Sequence, residues 1–159
     1  MLYKIPLYVA LLQSIPETFL IIQLGFIFFN IHINYKKSLI ISLISAVISY
    51  IVRKLFTTFG IHTFLLLIAL IFLIRVITKI HLMHSVVGVL TGALIAGVFQ
   101  MVTTPLLLMV YGKIMSDLAL EPWLNILFFL PSGLLMVLSY LIIRKNHFYL
   151  IDFNMYHKD

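Results

Sequence analysis

The sequence predicts an all-α protein, a polytopic membrane bundle of about five transmembrane helices. Hydrophobic residues make up 63% of the 159 positions and charged residues only 10%, with a mean hydropathy of +1.16. Soluble domains are about half apolar and about a quarter charged, so a water-soluble globule is excluded. The apolar residues also form five long runs separated by short polar connections. We therefore expect a single membrane domain over residues 1–159.

The five runs have the length of membrane-spanning helices, about 17–25 residues. The second run reaches that length only if the charges at its end extend toward water. The fourth is longer than one straight crossing requires, so a sixth crossing stays open. A cleavable signal peptide is not expected, because residues 13–17 lack the small residues of a cleavage site and the apolar run resumes at once. The predicted helices cover residues 5–30, 38–56, 61–78, 82–111 and 123–143, followed by a short tail over 144–159.

The distribution of Lys and Arg predicts the orientation of the bundle. With five crossings, one side receives seven of these residues and the other receives four. Because cytoplasmic loops carry the excess of Lys and Arg, we expect an outside N-terminus and a cytoplasmic C-terminus in a bacterial plasma membrane. The seven are Lys36, Lys37, Arg75, Lys79, Arg144, Lys145 and Lys158; the four are Lys4, Arg53, Lys54 and Lys113.

Glu17 is the acidic residue that falls inside a predicted span. It lies about 15 Å along the first helix at 1.5 Å per residue, near the middle of the bilayer. An ionisable group at that depth faces the protein interior or a cavity. Gln13 lies on the same face and Pro16 interrupts the helical hydrogen bonds beside it. Two interpretations stay open: a ligand, ion or proton site, and a structural pair with a neighbouring helix, for which Arg53 is the obvious candidate.

Small residues follow one face of the second and the fourth predicted helix. In the second they are serines at intervals of four, three and four residues, which predicts a packing seam or a polar conduit. In the fourth, Gly88, Gly92 and Ala96 form a small-xxx-small pattern, which predicts a close helix crossing or a dimer seam. The serines are Ser38, Ser42, Ser45 and Ser49.

Three predicted helices contain a proline at membrane depth: Pro16, Pro105 and Pro131. Non-helical backbone is tolerated there where it lines a cavity or is buried in protein, so a ligand cavity or a hinge is one interpretation and ordinary kinks are the other. Gln100 lies near Pro105 and adds a polar side chain to this set. The residues that we expect to form a ligand site in the outer half of the bundle are Gln13, Glu17, Arg53 and Gln100.

Several kinds of chemistry are excluded by composition. The chain has no cysteine, which rules out disulfide scaffolds, thiolate metal sites and cysteine nucleophiles. His81 and His84 have a spacing that could share a metal, but no third ligand is evident near them, so no metal site is expected. We expect neither an enzyme nor a cofactor. The net charge of +6 predicts contact with lipid headgroups and no nucleic-acid partner, because the basic residues lie between apolar runs.

Five short motifs resemble landmarks of a known family. They are Ser14-Ile15-Pro16-Glu17, Tyr50-Ile51-Val52-Arg53, Phe59-Gly60-Ile61-His62-Thr63, Leu130-Pro131-Ser132-Gly133 and Ile143-Arg144-Lys145. They are similar to motifs in the N-terminal membrane domains of sensor histidine kinases of the peptide-quorum-sensing and sporulation type in Gram-positive bacteria. The resemblance covers essentially the whole chain and implies a sensor of a two-component system. A kinase would continue beyond Leu150, so the resemblance implies a stand-alone relative that signals through a partner, or a truncated chain.

The sequence thus favours a membrane receptor or sensor that binds a small ligand or peptide and acts by association with a partner or with copies of itself. The main alternative is a small substrate-binding membrane subunit of a transporter, such as those that bind vitamins and dock on an ATPase complex. Such subunits usually have six helices, whereas five are predicted here. A membrane immunity or defence protein and a purely structural assembly subunit also stay open.

Overall fold

The computed structural model describes residues 7–55, 61–114 and 117–151, without the side chains at positions 10, 53–55, 61 and 119. Within these ranges the chain is helical and contains no strand, as predicted. The helices are α1 (Leu7–Ile27), α2 (Tyr35–Leu55), α3 (Ile61–Thr78), α4 (Leu82–Tyr111), α5 (Asp117–Leu120) and α6 (Trp123–Asn146).

Four of these helices, α1, α2, α4 and α6, are long and apolar enough to cross a membrane. The described part of α3, His62–Thr78, is equally apolar but slightly shorter. The fourth predicted run forms one continuous helix of 30 residues with Pro105 inside it, so the described chain has five long helices. At 1.5 Å per residue α4 is about 45 Å long, which exceeds the hydrocarbon thickness of about 30 Å.

Several observed helix ends differ by about three residues from the approximate predicted ends. The first helix ends at Ile27 and not at residue 30, because a turn follows in which Asn30 adopts a φ of 57°. The second begins at Tyr35, where the Asn34 side chain accepts a hydrogen bond from the Lys36 amide at 2.9 Å and caps the helix. The last continues through Asn146. Hydropathy marks the apolar stretch, whereas caps and turns set the end of the helix.

The helices form a ring of four with a fifth attached outside it. In the ring, α1 contacts α2, α2 contacts α3, α3 contacts α4, and α4 returns to α1. The long helix α6 packs outside the ring, against α1 and α4. After α6 the chain returns to the end of α1, where the Leu150 amide donates a hydrogen bond to the Phe28 carbonyl at 2.8 Å. As a result, α1 is the central helix of the protein.

The ring has two ends that differ in charge. We call one the basic end, where α1, α3 and α6 finish and α2 and α4 begin. The opposite end, which we call the distal end, carries the start of α1 and the segment 112–122. The basic end holds six exposed cationic residues: Lys36, Lys37, Arg75, Lys79, Arg144 and Lys145.

Helix α2 is polar inside and apolar outside, which is the reverse of a helix in a soluble protein. Its four serines, Ser38, Ser42, Ser45 and Ser49, are all at most 7% exposed. The large apolar side chains lie on the opposite face and are about half-exposed. This arrangement is unfavourable in water and natural in lipid, where helices associate through small and polar residues. The outward apolar residues are Leu39, Ile40, Leu43, Ile44, Val47 and Ile51.

A glycine crossing joins α1 to α4. A Cβ added at Gly25 would collide with the Gly88 carbonyl oxygen and lie 3.0 Å from the Gly92 Cα, and a Cβ at Gly92 would collide with the Ile21 carbonyl oxygen. Gly88 packs against the ring of Phe26. The small-xxx-small pattern of α4 therefore serves a contact within the chain, and these positions are not available for the dimer seam that the sequence left open.

Candidate functional site

The two halves of the four-helix ring are filled differently. Toward the basic end, large apolar side chains from all four helices pack together. Toward the distal end, many inward positions carry serine, threonine, alanine or glycine, which occupy less of the same space. This loss of side-chain volume leaves a cavity. The packed cluster consists of Ile22, Phe26, Ile33, Ile41, Leu70, Ile74 and Val89.

This central cavity has a volume of about 490 Å³ and is enclosed by α1, α2, α3 and α4. One part of its wall is apolar, including Leu66, Leu67 and Leu70 of α3. The other part is polar and combines a carboxylate, two amides, an imidazole and five hydroxyls. Ligand pockets commonly have this combination of an apolar wall and a few convergent polar groups. The polar lining residues are Gln13, Ser14, Glu17, Thr18, Ser45, Ser49, His62, Thr63 and Gln100.

Glu17 and Gln100 form the polar centre of the cavity. The Gln100 Nε2 donates a hydrogen bond to the Glu17 Oε1 at 2.5 Å. Both side chains are partly buried, and the bond connects α1 to α4 near the middle of α1. A carboxylate with an amide donor is stabilised in a low-dielectric setting by that donor. The Glu17 side chain also lines the cavity.

Two buried hydroxyls of the lining lack a hydrogen-bond partner among the described residues. Ser14 on α1 and Ser49 on α2 are each 4% exposed, and neither Oγ is hydrogen-bonded within the described part of the chain. Buried polar groups normally have a partner, because leaving one unsatisfied costs about 1–3 kcal/mol. Both residues line the cavity, so its polar wall includes two hydroxyls without a described partner.

The cavity lining is exposed on its α3 and α4 side, at Thr63, Leu90, Leu94 and Gly97. On its α1 and α2 walls, Ser14, Ser45 and Ser49 are buried. On its α4 wall, Leu94 is 69% exposed, and a Cβ added at Gly97 would meet nothing within 4 Å. The opening therefore faces the lateral surface of the bundle, which is the lipid-facing surface of a membrane helix bundle.

The structure brings together three of the four residues that we predicted as a ligand site. Gln13, Glu17 and Gln100 all line the central cavity. Arg53 lies near the end of α2, but its side chain is outside the described residues, so its predicted pairing with Glu17 is not described. The prolines do not form the site: Pro16, Pro105 and Pro131 are inside continuous helices and none is a lining residue.

The predicted packing residues divide between two roles. The Ser42 hydroxyl donates to the Ser38 carbonyl at 2.8 Å, inside the packed part of the ring. Ser45 and Ser49 line the cavity instead. Ala96 both lines the cavity and packs in a second apolar cluster with Leu24 and Met136. Gly88 and Gly92 make the crossing with α1.

Sequence reasoning missed several polar residues. Ser14 and Thr18 are one helical turn apart on α1, a spacing that could have assigned both to one face. His62 and Thr63 begin α3 and could be placed in the cavity only once the ring was known. Gln23 was also missed. Its buried amide donates to the Ser38 hydroxyl at 2.7 Å and to the Ile33 carbonyl at 3.2 Å, which joins α1 to the start of α2.

The lining can accept hydrogen bonds and positive charge. Among the described lining residues there is one carboxylate and no lysine or arginine. No group of three His, Asp or Glu side chains capable of holding a metal ion occurs in the described ranges. The arrangement suits a ligand with hydrogen-bond donors or an ammonium group, joined to an apolar portion that contacts the leucines.

Comparison with protein-family models, with curated proteins and with solved structures finds no match to this chain.

Proposed function

We propose that this protein is a non-enzymatic receptor or sensor module of the membrane that binds an amphipathic ligand in its central cavity. The observation that supports this most is the pair of buried serines, Ser14 and Ser49, whose hydroxyls have no hydrogen-bond partner among the described residues and which line a cavity of about 490 Å³. The volume falls within the range of about 300–1,000 Å³ that is typical of small-molecule sites.

The chemistry of the lining indicates the class of ligand. Glu17 and the hydroxyls would bind a head group that donates hydrogen bonds, such as a primary ammonium or an amide. The leucines of α3 and α4 would contact a hydrocarbon portion. Because the opening lies between α3 and α4, the ligand would enter from the lipid phase, so it must partition into membranes.

Signalling would follow from a change in helix packing. Glu17 lies on the central helix and its hydrogen bond to Gln100 fixes α1 against α4. A ligand that competes for Glu17 would weaken this link and favour a different arrangement of the two helices, since a ligand shifts an equilibrium only through differential contacts. With an outside N-terminus, as the basic residues favour, the cavity would lie in the outer half and the basic end would meet a cytoplasmic partner.

Native mass spectrometry of the gently solubilised full chain tests the proposal. The wild type should carry a bound molecule of defined mass, which Glu17→Gln should lose. Glu121→Gln removes a carboxylate outside the cavity and should retain the molecule. Retention by all three proteins would exclude a role for Glu17. A wild type that is empty when extracted directly from its own membrane would contradict the ligand site, and the polar residues would then be packing devices.

A transporter subunit is the second candidate, because a laterally open cavity of this size equally suits capture of a substrate for export or uptake. It predicts copurification with an ATPase complex, which the receptor proposal does not. The bound mass and the copurifying proteins, measured in the same experiment, separate the two.

A further inference from the structure

The basic end of the bundle carries a second concave site, independent of the central cavity. Its described residues include six Lys and Arg side chains and no acidic one, since Glu17, Asp117 and Glu121 lie elsewhere. Asp152 and Asp159 follow in the sequence and are outside the described residues.

A groove of about 400 Å³ concentrates this charge at one place. It lies between the turn 31–34 and the end of α6, and Arg144 is the cationic residue in its lining. The Arg144 Nη1 donates to the Tyr35 hydroxyl at 3.0 Å, and the Tyr35 and Tyr140 hydroxyls are 2.8 Å apart. These contacts hold the guanidinium at the groove while using one of its five N–H donors. We call this site the Arg144 groove.

A second cavity of about 400 Å³ lies on the other side of the same turn and is lined by Lys37. The two cavities share residues 31–34. Two cationic side chains from different helices, Lys37 and Arg144, therefore flank one polar turn.

The Arg144 groove lies beside the apolar lateral surface of the bundle. Leu39 lies one helical turn beyond Tyr35, and Leu141 lies one turn before Arg144; they are 48% and 51% exposed. The groove is thus at the boundary between the apolar, lipid-facing surface and the charged end. A phosphate there can continue into hydrocarbon chains along the apolar surface, whereas a soluble phosphate compound gains nothing from that surface.

We propose that the Arg144 groove binds the phosphate of an anionic phospholipid, with its acyl chains along the neighbouring apolar surface. The planar guanidinium can bind two phosphate oxygens at once, which a lysine ammonium cannot. The Tyr35 hydroxyl accepts from the guanidinium and holds it in place. Because one hydroxyl proton is used between Tyr35 and Tyr140, the pair has one O–H left to donate to a phosphate oxygen. Juxtamembrane basic residues attract anionic lipids in general; the groove adds a defined position.

Lipid retention by the full chain tests this. The protein is reconstituted in nanodiscs of phosphatidylglycerol mixed with phosphatidylcholine, released into detergent and analysed by native mass spectrometry. We expect phosphatidylglycerol to be retained in preference to phosphatidylcholine, and Arg144→Gln to reduce that retention about five-fold or more, which corresponds to the loss of one favourable contact near the surface. Lys145→Gln removes the same charge from the adjacent position outside the groove and should have little effect.

Three results would overturn the proposal. Equal losses in Arg144→Gln and Lys145→Gln would mean that the attraction is diffuse. Equal retention of the two lipids by the wild type would mean that no anionic site exists. Displacement of phosphatidylglycerol by inorganic phosphate would assign the groove to a soluble anion. Arg144→Lys keeps the charge and loses the planar guanidinium, so it should show an intermediate loss of phosphatidylglycerol retention. It also tests the proposal if the Arg144→Gln variant does not fold.

Discussion

Gln100 and Glu17 are 83 positions apart in the sequence and form a hydrogen bond of 2.5 Å between Nε2 and Oε1, across the interface of α4 and α1. Two turns along α1, at Gly25, the same pair of helices makes a close backbone contact. Within one interface the chain thus combines a rigid contact of small residues and a polar contact that borders a cavity.

The first prediction concerns the energy of the Glu17–Gln100 bond. A double-mutant cycle with Glu17→Ala and Gln100→Ala should give a coupling energy of about 0.6 kcal/mol, with an upper limit of about 1.7, as measured for side-chain hydrogen bonds within membranes. Unfolding in mixed micelles measures it. The control cycle pairs Glu17→Ala with Ser139→Ala, because the Ser139 hydroxyl donates to Leu135 on its own helix. That cycle should give a coupling energy near zero. Equal coupling energies in the two cycles would show that the Glu17–Gln100 hydrogen bond is not the source of the coupling.

The second prediction concerns the glycine crossing. Gly92→Ala should destabilise the fold by about 1–3 kcal/mol, the usual cost of overpacking, because the new Cβ meets the Ile21 carbonyl, which cannot rotate away. Gly97→Ala is a matched substitution on the same helix with open space around it. It should be neutral or stabilise by up to about 1 kcal/mol, since glycine is unfavourable inside helices. Comparable losses for the two variants would contradict the internal crossing.

The third prediction concerns the lateral opening and depends on the proposed ligand site. Gly97→Phe places an aromatic ring at the opening and should slow or weaken ligand binding at least about ten-fold while leaving thermal stability unchanged. Val98→Phe adds the same ring at the adjacent position, which is 58% exposed and outside the cavity lining. Measured ligand uptake should be normal in that variant. Normal uptake in Gly97→Phe would place the entrance elsewhere.

The fourth prediction concerns orientation. Since the chain lacks cysteine, single cysteines can report which side each end faces. With an outside N-terminus, Ile114→Cys at the distal end should react with a membrane-impermeant maleimide added to intact cells. Lys145→Cys at the basic end should react only after the membrane is opened. The reverse labelling pattern would invert the proposed topology.

The fifth prediction concerns pH and the segment between α4 and α6. The Lys113 Nζ lies 2.6 Å from the Glu121 Oε1. This hydrogen bond, together with the negative charges of Glu121 and Asp117, raises the pKa of Lys113 above its usual 10.5. A raised lysine pKa means that the pair stabilises the folded state fully below pH 10.5 and that this contribution disappears as the pH passes the higher folded-state pKa. Glu121→Gln should therefore lower stability slightly at neutral pH and not at strongly alkaline pH.

The positions of the long helices can be predicted from the sequence, whereas the contacts between them cannot. Residues 61–78 and 82–111 agree with α3 and α4, because apolar runs of this length have few alternatives in lipid. The short helix α5 (Asp117–Leu120) was missed, because four residues give no periodicity. Gln13, Glu17 and Gln100 are recognisable in the sequence as polar residues within apolar runs, and all three line one cavity.

The sequence by itself determined that this chain forms long apolar helices and which residues share a face of each. Only the tertiary structure decided which faces meet. It turned Glu17 toward Gln100, placed Gly88 and Gly92 against α1, and left a cavity at Ser14 and Ser49. The physical reason is that lipid and protein interior are equally apolar, so hydrophobicity does not separate buried faces from exposed ones. Which faces are buried depends on how side-chain volumes fit together and on whether polar groups find partners. Both depend on two helices at once.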